Sequence, residues 1–314
     1  MLFAQNTKSM IRSFEEMTSR LSGVSERQKV AVVCPYDSST ANALACAINA
    51  GFAKAILVGC PNKMPSELLA LEKKGMCSLV VAESIEESAR VSVTLAAKGE
   101  ADILMKGLAN TDILLKAILN KQEGLLKRGS VLTHMAAAQV PGFGRLLFFT
   151  DAAVIPYPTH EQRLAQVGYA SSVCHAFGIS TPRIALVHFS EKASPKFPHT
   201  MGYAEIINTA KSGIWGNVVV DGPLDVRAAC DSESCRVKGI KTPLGGEADA
   251  LVFPDLEAAN AFYKTLSYFS KAEMAAVLCG AKCPVVLPSR SDDDTSKFNS
   301  LCIAAISNIQ DGRK

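Results

Sequence analysis

Ser289 and Arg290 stand together in the stretch PVVLPSRSDDD (284–294), one residue ahead of three aspartates. A hydroxyl, a permanently charged planar guanidinium and backbone N–H groups can together hold a phosphate or a developing oxyanion. A carboxylate beside such an arginine can accept a proton from a thiol or hydroxyl nucleophile. The same residues admit a plainer reading, a capped helix in which Arg290 neutralises aspartates that only face solvent.

Both readings need the same supporting elements. Val285, Val286 and Leu287 form a short apolar run that Pro288 ends, which predicts a buried parallel strand. Asp292, Asp293 and Asp294 then read as the cap and first turn of a helix through Lys297, Phe298, Leu301, Ile303 and Ile306. Acids suit the positive end of that helix dipole. In an open α/β sheet, ligands bind in the crevice at the carboxyl ends of the strands.

The pattern of a strand end followed by a small or charged residue recurs. Met105 leads into Lys106-Gly107, Phe149 into Thr150-Asp151, and Val220 into Asp221-Gly222-Pro223. Lys106 offers a point charge beside a glycine that permits close backbone approach, or else a surface lysine in a connecting loop. Thr133-His134, set between hydrophobic residues in SVLTHM, reads as a hydrogen-bonded core or cap pair or as part of a site. No Gly-x-Ser-x-Gly elbow, P-loop or Gly-x-Gly-x-x-Gly after the first strand is present, which disfavours the familiar hydrolase, ATP and nicotinamide chemistries.

Short apolar runs alternate with longer amphipathic segments along the chain, the pattern of a parallel sheet with crossover helices. A helix is expected over 8–22, then strands over 29–34, 55–58, 79–82 and 103–105 with helices between them. A second series follows, with strands near 146–150, 183–188, 217–221 and 250–253. The segments after 277 look like a return to the first series. The expected organisation is therefore two α/β domains, 1–130 plus 280–314 and 131–279, with a deep cleft between them.

Composition narrows the class further. With 314 residues, 48% hydrophobic and 20% charged, the chain is an ordinary globular protein with ample length for a core. The net charge of +3 comes without a basic block or basic-aromatic interleaving, so nucleic acid is not an expected partner. No apolar run reaches the ~18 residues of a membrane span, and the N-terminus lacks the apolar core of a secretory signal. Ten scattered cysteines then point to a reducing cytoplasm. The pairs Cys230/Cys235 and Cys279/Cys283 lack zinc spacing, and no metal site is expected.

DALVFPDLEAANAFYKTL (249–266), GAKCPVVLPSR (280–290), DGPLDV (221–226), ADILMKG (101–107) and LLFFTDAAV (146–154) together resemble the phosphate acetyl/butyryl transferase family, in that family's order. Pro254, Asp255, Glu257, Asn260 and Lys264 keep its spacing, and Met105-Lys106-Gly107 resembles the butyryl branch. The resemblance implies reversible transfer of a short acyl group, butyryl favoured, between coenzyme A and inorganic phosphate. It also implies an isocitrate/isopropylmalate dehydrogenase-like fold, a homo-oligomer, and no cofactor beyond coenzyme A and phosphate as substrates. Ser289 and Arg290 carry over as substrate-contacting residues. The base aspartate of the acetyl branch falls on Ser296, and Asp294, two residues earlier, is the nearest carboxylate. Lys106, Gly107, Thr133, His134, Thr150 and Asp151 are the expected substrate-binding residues. The altered position 296 leaves a second reading, a catalytically silent acyl-CoA-binding regulatory module on the same scaffold.

Overall fold

The computed structural model describes residues 9–289 and 292–310. In chain order the first elements are α1 (Phe14–Leu21), β1 (Gln28–Val33), α2 (Ser38–Asn49), β2 (Ala53–Gly59), α3 (Ser66–Lys73), β3 (Cys77–Val81), α4 (Ile85–Ala97), β4 (Ile103–Lys106) and α5 (Thr111–Ile118). Next come β5 (Thr133–Gln139), β6 (Leu146–Thr150), α6 (His160–Ala176), β7 (Arg183–Val187), α7 (Pro198–Met201), α8 (Tyr203–Lys211) and β8 (Val219–Leu224). The chain ends through α9 (Val226–Cys230), α10 (Ser232–Lys238), β9 (Ala250–Val252), α11 (Leu256–Tyr268), β10 (Glu273–Cys279), β11 (Val285–Val286) and α12 (Asp294–Gln310). Contacts group these into a first unit, Phe14–His134 with the chain from Glu273 onward, and a second unit, Met135–Ala272 with residues 9–13.

In the first unit the strands run in the order β3-β2-β1-β4-β11-β10. All neighbouring pairs are parallel except β10 and β11, which are antiparallel. β4 is buried along its whole length and β1 at all but Lys29, the near-continuous burial of strands covered by helices on both faces. α2 packs on α12, and α4 on α5. In the second unit the order is β5-β6-β9-β7-β8. Its β6, β9, β7 and β8 are mutually parallel, whereas β5 and β6 form an antiparallel pair.

The mixed α/β class is as expected, and three local expectations need correcting. The first helix begins at Phe14 rather than near residue 8; ahead of it Ile11 is buried and its N–H donates to the Phe177 carbonyl at 2.8 Å. Thr133 and His134 open a strand, β5, that periodicity does not reveal. Its sequence THMAAAQ lacks the β-branched and aromatic residues that mark strands, and burial of Ala136, Ala137 and Ala138 against β6 makes it one. The sheets are accordingly mixed rather than wholly parallel.

Helix starts follow local chemistry. Ser84 accepts from the Glu87 N–H to cap α4 (3.0 Å), and Asp255 from the Ala258 N–H to cap α11 (2.8 Å). Thr159 and Gln162 form a reciprocal capping box at α6, the helix that packs on β6, β7 and β9. No described helix is long and apolar enough to cross a membrane. Thr159→Ala removes one half of the capping box and is expected to lower stability by about 0.5–2 kcal/mol in urea unfolding. Thr159→Asp, which keeps an acceptor at that position, should retain most of it.

Candidate active site

In the first unit β1 continues through α2 to β2 on one side, while β4 lies on its other side. The sheet order therefore reverses between β1 and β4, and the crevice at their carboxyl ends is the expected place for a ligand. Three segments meet that edge: the loop after β1 (34–37), the loop after β4 (107–110) and the residues after β11 up to Ser289. The first two are tied by backbone bonds, from Gly107 N–H to the Val33 carbonyl (2.8 Å) and from Leu108 N–H to the Cys34 carbonyl (2.7 Å). A Cβ on Gly107 would collide with the carbonyl oxygens of Val33 and Cys34, so only glycine allows this approach.

Lys106 ends β4 with 2% exposure. Its Nζ turns back on its own loop, donating to the carbonyls of Gly107 (3.3 Å) and Ala109 (3.4 Å). Lys106 is therefore not an exposed surface lysine. Burial brings the cation to the reversal point of the sheet, next to a strand, β11, whose following loop carries Ser289.

Ser289 is exposed, and its loop is closed by Asp292. The Asp292 carboxylate accepts from the Ser289 N–H at 2.8 Å, and the Asp292 N–H donates to the Ser289 carbonyl at 3.2 Å. Asp293 accepts from the Ser296 N–H at 2.8 Å, the bond of a helix cap. Asp294 is the first residue of α12 and is exposed; its carboxylate accepts from Thr295 N–H (3.0 Å) and from Asn42 Nδ2 of α2 (3.4 Å). The three adjacent aspartates thus have three different surroundings. Arg290 lies outside the described residues.

A residue pair that sequence reasoning did not single out holds this edge together. Lys297, 4% exposed in the first turn of α12, donates from Nζ to Asp37 Oδ1 (2.8 Å), Ser39 Oγ (2.5 Å) and Thr40 Oγ1 (3.2 Å). Asp37 is also the cap of α2, accepting from Thr40 N–H at 2.8 Å. Burial pushes the Asp37 carboxyl up, but hydrogen bonds from Lys297, Ser39 and Thr40 outweigh it and hold the group well below the usual carboxylate range. The positive N-terminus of α2 is therefore already filled by the protein's own anion. Asp293 fills the start of α12 in the same way, so an external phosphate at this edge is left with Ser289 and nearby cations. The signal for Lys297 was weak in sequence, since a lysine at a helix start usually faces water.

Elsewhere on α12, Asn299 is 3% exposed, and its Nδ2 has no hydrogen-bond partner among the described residues. Ser300 bridges backbone groups, donating to the Ser296 carbonyl (2.7 Å) and accepting from the Ala276 N–H (3.0 Å). Thr133 and His134 are buried at the start of β5, with 0% and 6% exposure.

In the second unit Thr150 ends β6, and a cis peptide joins it to Asp151. Both are buried. The Asp151 carboxylate accepts from the N–H groups of Ala153 (2.9 Å), Val154 (2.9 Å) and Ile155 (3.3 Å), so it organises its own loop. Asn260 of α11 braces the same loop through the Ala152 carbonyl at 2.9 Å. Arg163 of α6 donates to the carbonyls of Pro158 (3.0 Å) and Pro254 (2.6 Å), fixing the turn after β9. The spaced residues of segment 249–266 thus acquire physical roles: Asp255 caps, Asn260 braces, and Glu257 accepts from the Tyr157 hydroxyl at 2.7 Å. Among the described residues, no group of three or more His, Cys, Asp or Glu side chains could hold a metal ion.

Helices start and parallel strands end at these edges, an arrangement suited to an α/β protein that takes an anionic ligand. The family model for phosphate acetyl/butaryl transferases matches residues 67–305. The phosphate butyryltransferase of Clostridium acetobutylicum is 36% identical over 301 residues, covering 95% of this chain and 98% of its own. A branched-chain phosphotransacylase from Enterococcus faecalis superposes with a TM-score of 0.79 at 28% identity, over 90% of this chain and 99% of that one. A 4-hydroxythreonine-4-phosphate dehydrogenase from Klebsiella pneumoniae shares the fold more distantly, with a TM-score of 0.52 at 11% identity over 90% of this chain and all (100%) of that one. The chain belongs to the phosphate acetyl/butyryl transferase family and is a phosphate acyltransferase.

Lys297→Met leaves the Asp37 carboxylate without its cation. The expected cost is about 3 kcal/mol, the low end for a broken buried pair, because the Asp37 side chain keeps 24% exposure. Since the folded carboxyl binds its proton more weakly than the unfolded one, the pair's contribution is complete above about pH 4 and falls away as pH drops below it. Thermal melts across that acid range should show this loss in the parent protein and a flatter profile in Lys297→Met.

Proposed function

We propose that the chain catalyses reversible transfer of a short-chain acyl group, butyryl favoured, between coenzyme A and inorganic phosphate. The observation that carries this reading is the Ser289 loop at the carboxyl end of β11, ahead of the α12 N-terminus and beside the strand that ends in buried Lys106. The 36% identity to a phosphate butyryltransferase over 95% of the chain supports the choice of acyl group. The Thr150–Asp151 edge, with Thr133 and His134, is assigned to substrate binding in the same reading.

In the acyl-phosphate-forming direction a phosphate oxygen attacks the thioester carbonyl, a tetrahedral oxyanion forms, and coenzyme A leaves as thiolate. Ser289 donates to the phosphate, Arg290 neutralises the charge that develops, and positioning of both substrates supplies much of the acceleration. In reverse, the thiol must lose a proton before attacking the acyl phosphate. With a pKa near 8.5, only a few per cent of a free thiol is ionised at neutral pH. Asp294 is the base in this reading, as its exposed carboxylate at the start of α12 is open to a substrate. The chemistry consumes only coenzyme A, phosphate and their acyl derivatives, so no resident cofactor is required. The fold is assigned to the isocitrate/isopropylmalate dehydrogenase-like class, and the working form to a cytoplasmic homo-oligomer, a dimer or larger. Ten free cysteines support the reducing compartment.

Purified protein incubated with butyryl-CoA and phosphate should release free thiol in a phosphate-dependent manner, with butyryl-CoA preferred over acetyl-CoA. Absence of release with every short acyl-CoA, together with retained acyl-CoA binding, would replace this reading with the silent regulatory module. Arg290→Ala should lower kcat/KM by roughly 100-fold or more, as expected for loss of a transition-state charge contact. Asp294→Asn should slow thiol attack on acyl phosphate, with the defect shrinking as pH rises towards the thiol's own pKa.

A further inference from the structure

At the carboxyl end of β7 the chain leaves the second unit's sheet through His188 and Phe189, at the same edge as Thr150-Asp151 after β6 and Phe253-Pro254 after β9. His188 is buried, yet Phe189 is 69% exposed. The two rings lie 4.3 Å apart, and Phe197 meets both at 4.9 Å, edge-on to Phe189. His199 backs the group, its Nε2 at 3.3 Å from His188 Nδ1. Burial lowers the pKa of both imidazoles, so the cluster is uncharged at neutral pH.

The loop that carries these rings is braced from within. Thr200 Oγ1 accepts from the Ser194 N–H (3.0 Å) and donates to the Phe197 carbonyl (2.8 Å), and the Tyr203 hydroxyl donates to the Val187 carbonyl (3.0 Å). A large aromatic face is thus held in water on a rigid support. Lys192 and Lys196 lie on the same loop, both exposed and neither in an ion pair among the described residues. An exposed ring on one loop with exposed lysines is the chemistry that takes a nucleotide: the base stacks and the phosphates meet the ammonium groups.

We propose that the loop 188–199 binds the adenine nucleotide end of coenzyme A, with Phe189 stacking on the adenine and Lys192 and Lys196 taking its phosphates. The proposal rests on the acyl-CoA reading above. An acyl chain is the poorer occupant of this surface, because it has no charge for the lysines to meet. A second copy of the chain is poorer for the same reason, as it would bury two unpaired cations.

The test compares butyryl-CoA with S-butyryl-pantetheine, which keeps the thioester and lacks the nucleotide, in the parent enzyme and in Phe189→Ala. The KM for butyryl-CoA should rise roughly 10- to 100-fold, the loss of one base–aromatic stack, with kcat nearly unchanged. Kinetics with the pantetheine thioester should not move, and Phe189→Trp should restore the KM for butyryl-CoA. Lys192→Ala/Lys196→Ala should weaken binding of adenosine 3′,5′-bisphosphate in calorimetry and flatten its salt dependence. An equal change with both thioesters, or none with either, would overturn the proposal, as would dissociation of Phe189→Ala in sedimentation. Adenosine bisphosphate binding through Phe189 in a protein that turns over no acyl-CoA would support the nucleotide site and sink the acyl-transfer reading. Turnover with butyryl-CoA that is indifferent to Phe189 would do the reverse.

Discussion

One ammonium group, Lys297 Nζ, ties the start of α12 to the start of α2 by three oxygen contacts. Two helix N-termini in one small region would ordinarily repel through their like dipole ends. Asp37 places a negative charge between them, and the buried Lys297 compensates that charge. Without the pair, the first turn of α12 would keep, among the described residues, only the exposed Asn42–Asp294 hydrogen bond to α2. The crevice of the first unit therefore depends on an ion pair made by two residues that are 260 positions apart in the chain.

Most acids at these strand ends are structural. Asp37, Asp225, Asp255 and Asp293 each accept from a backbone N–H at a helix start, and Asp151 gathers three such groups in its loop. The reason is general: a parallel sheet delivers helix N-termini to its carboxyl edge, and their unpaired N–H groups must be met by side chains or ligands. Where a carboxylate already fills that role, an external anion is excluded.

Much of this was legible in the residues themselves. The alternation of apolar runs and amphipathic segments gave the α/β class, and the run 292–294 marked the start of α12 correctly. β5 was not legible, because three consecutive alanines carry no strand signal and become a strand only by pairing with β6. The start of α1 at Phe14 was not legible either, because the long-range bond from Ile11 to Phe177 leaves no mark in the local sequence. Asp151 reads as a substrate-binding acid, and the sequence does not show that its carboxylate also accepts from three N–H groups of its own loop.

Ser289, Arg290 and the acids that follow them are local chemistry, and the sequence by itself determined that they lie between a strand and a helix, where an anion can be held. It also determined the family, since ordered segments survive as patterns of residues whether or not their roles are understood. Only the tertiary structure decided which acids are caps, that Lys106 is buried, and that Lys297 faces Asp37 and not water. Burial and long-range pairing are properties of the packed chain, and a one-dimensional pattern carries neither the direction of a side chain nor the identity of its distant partner.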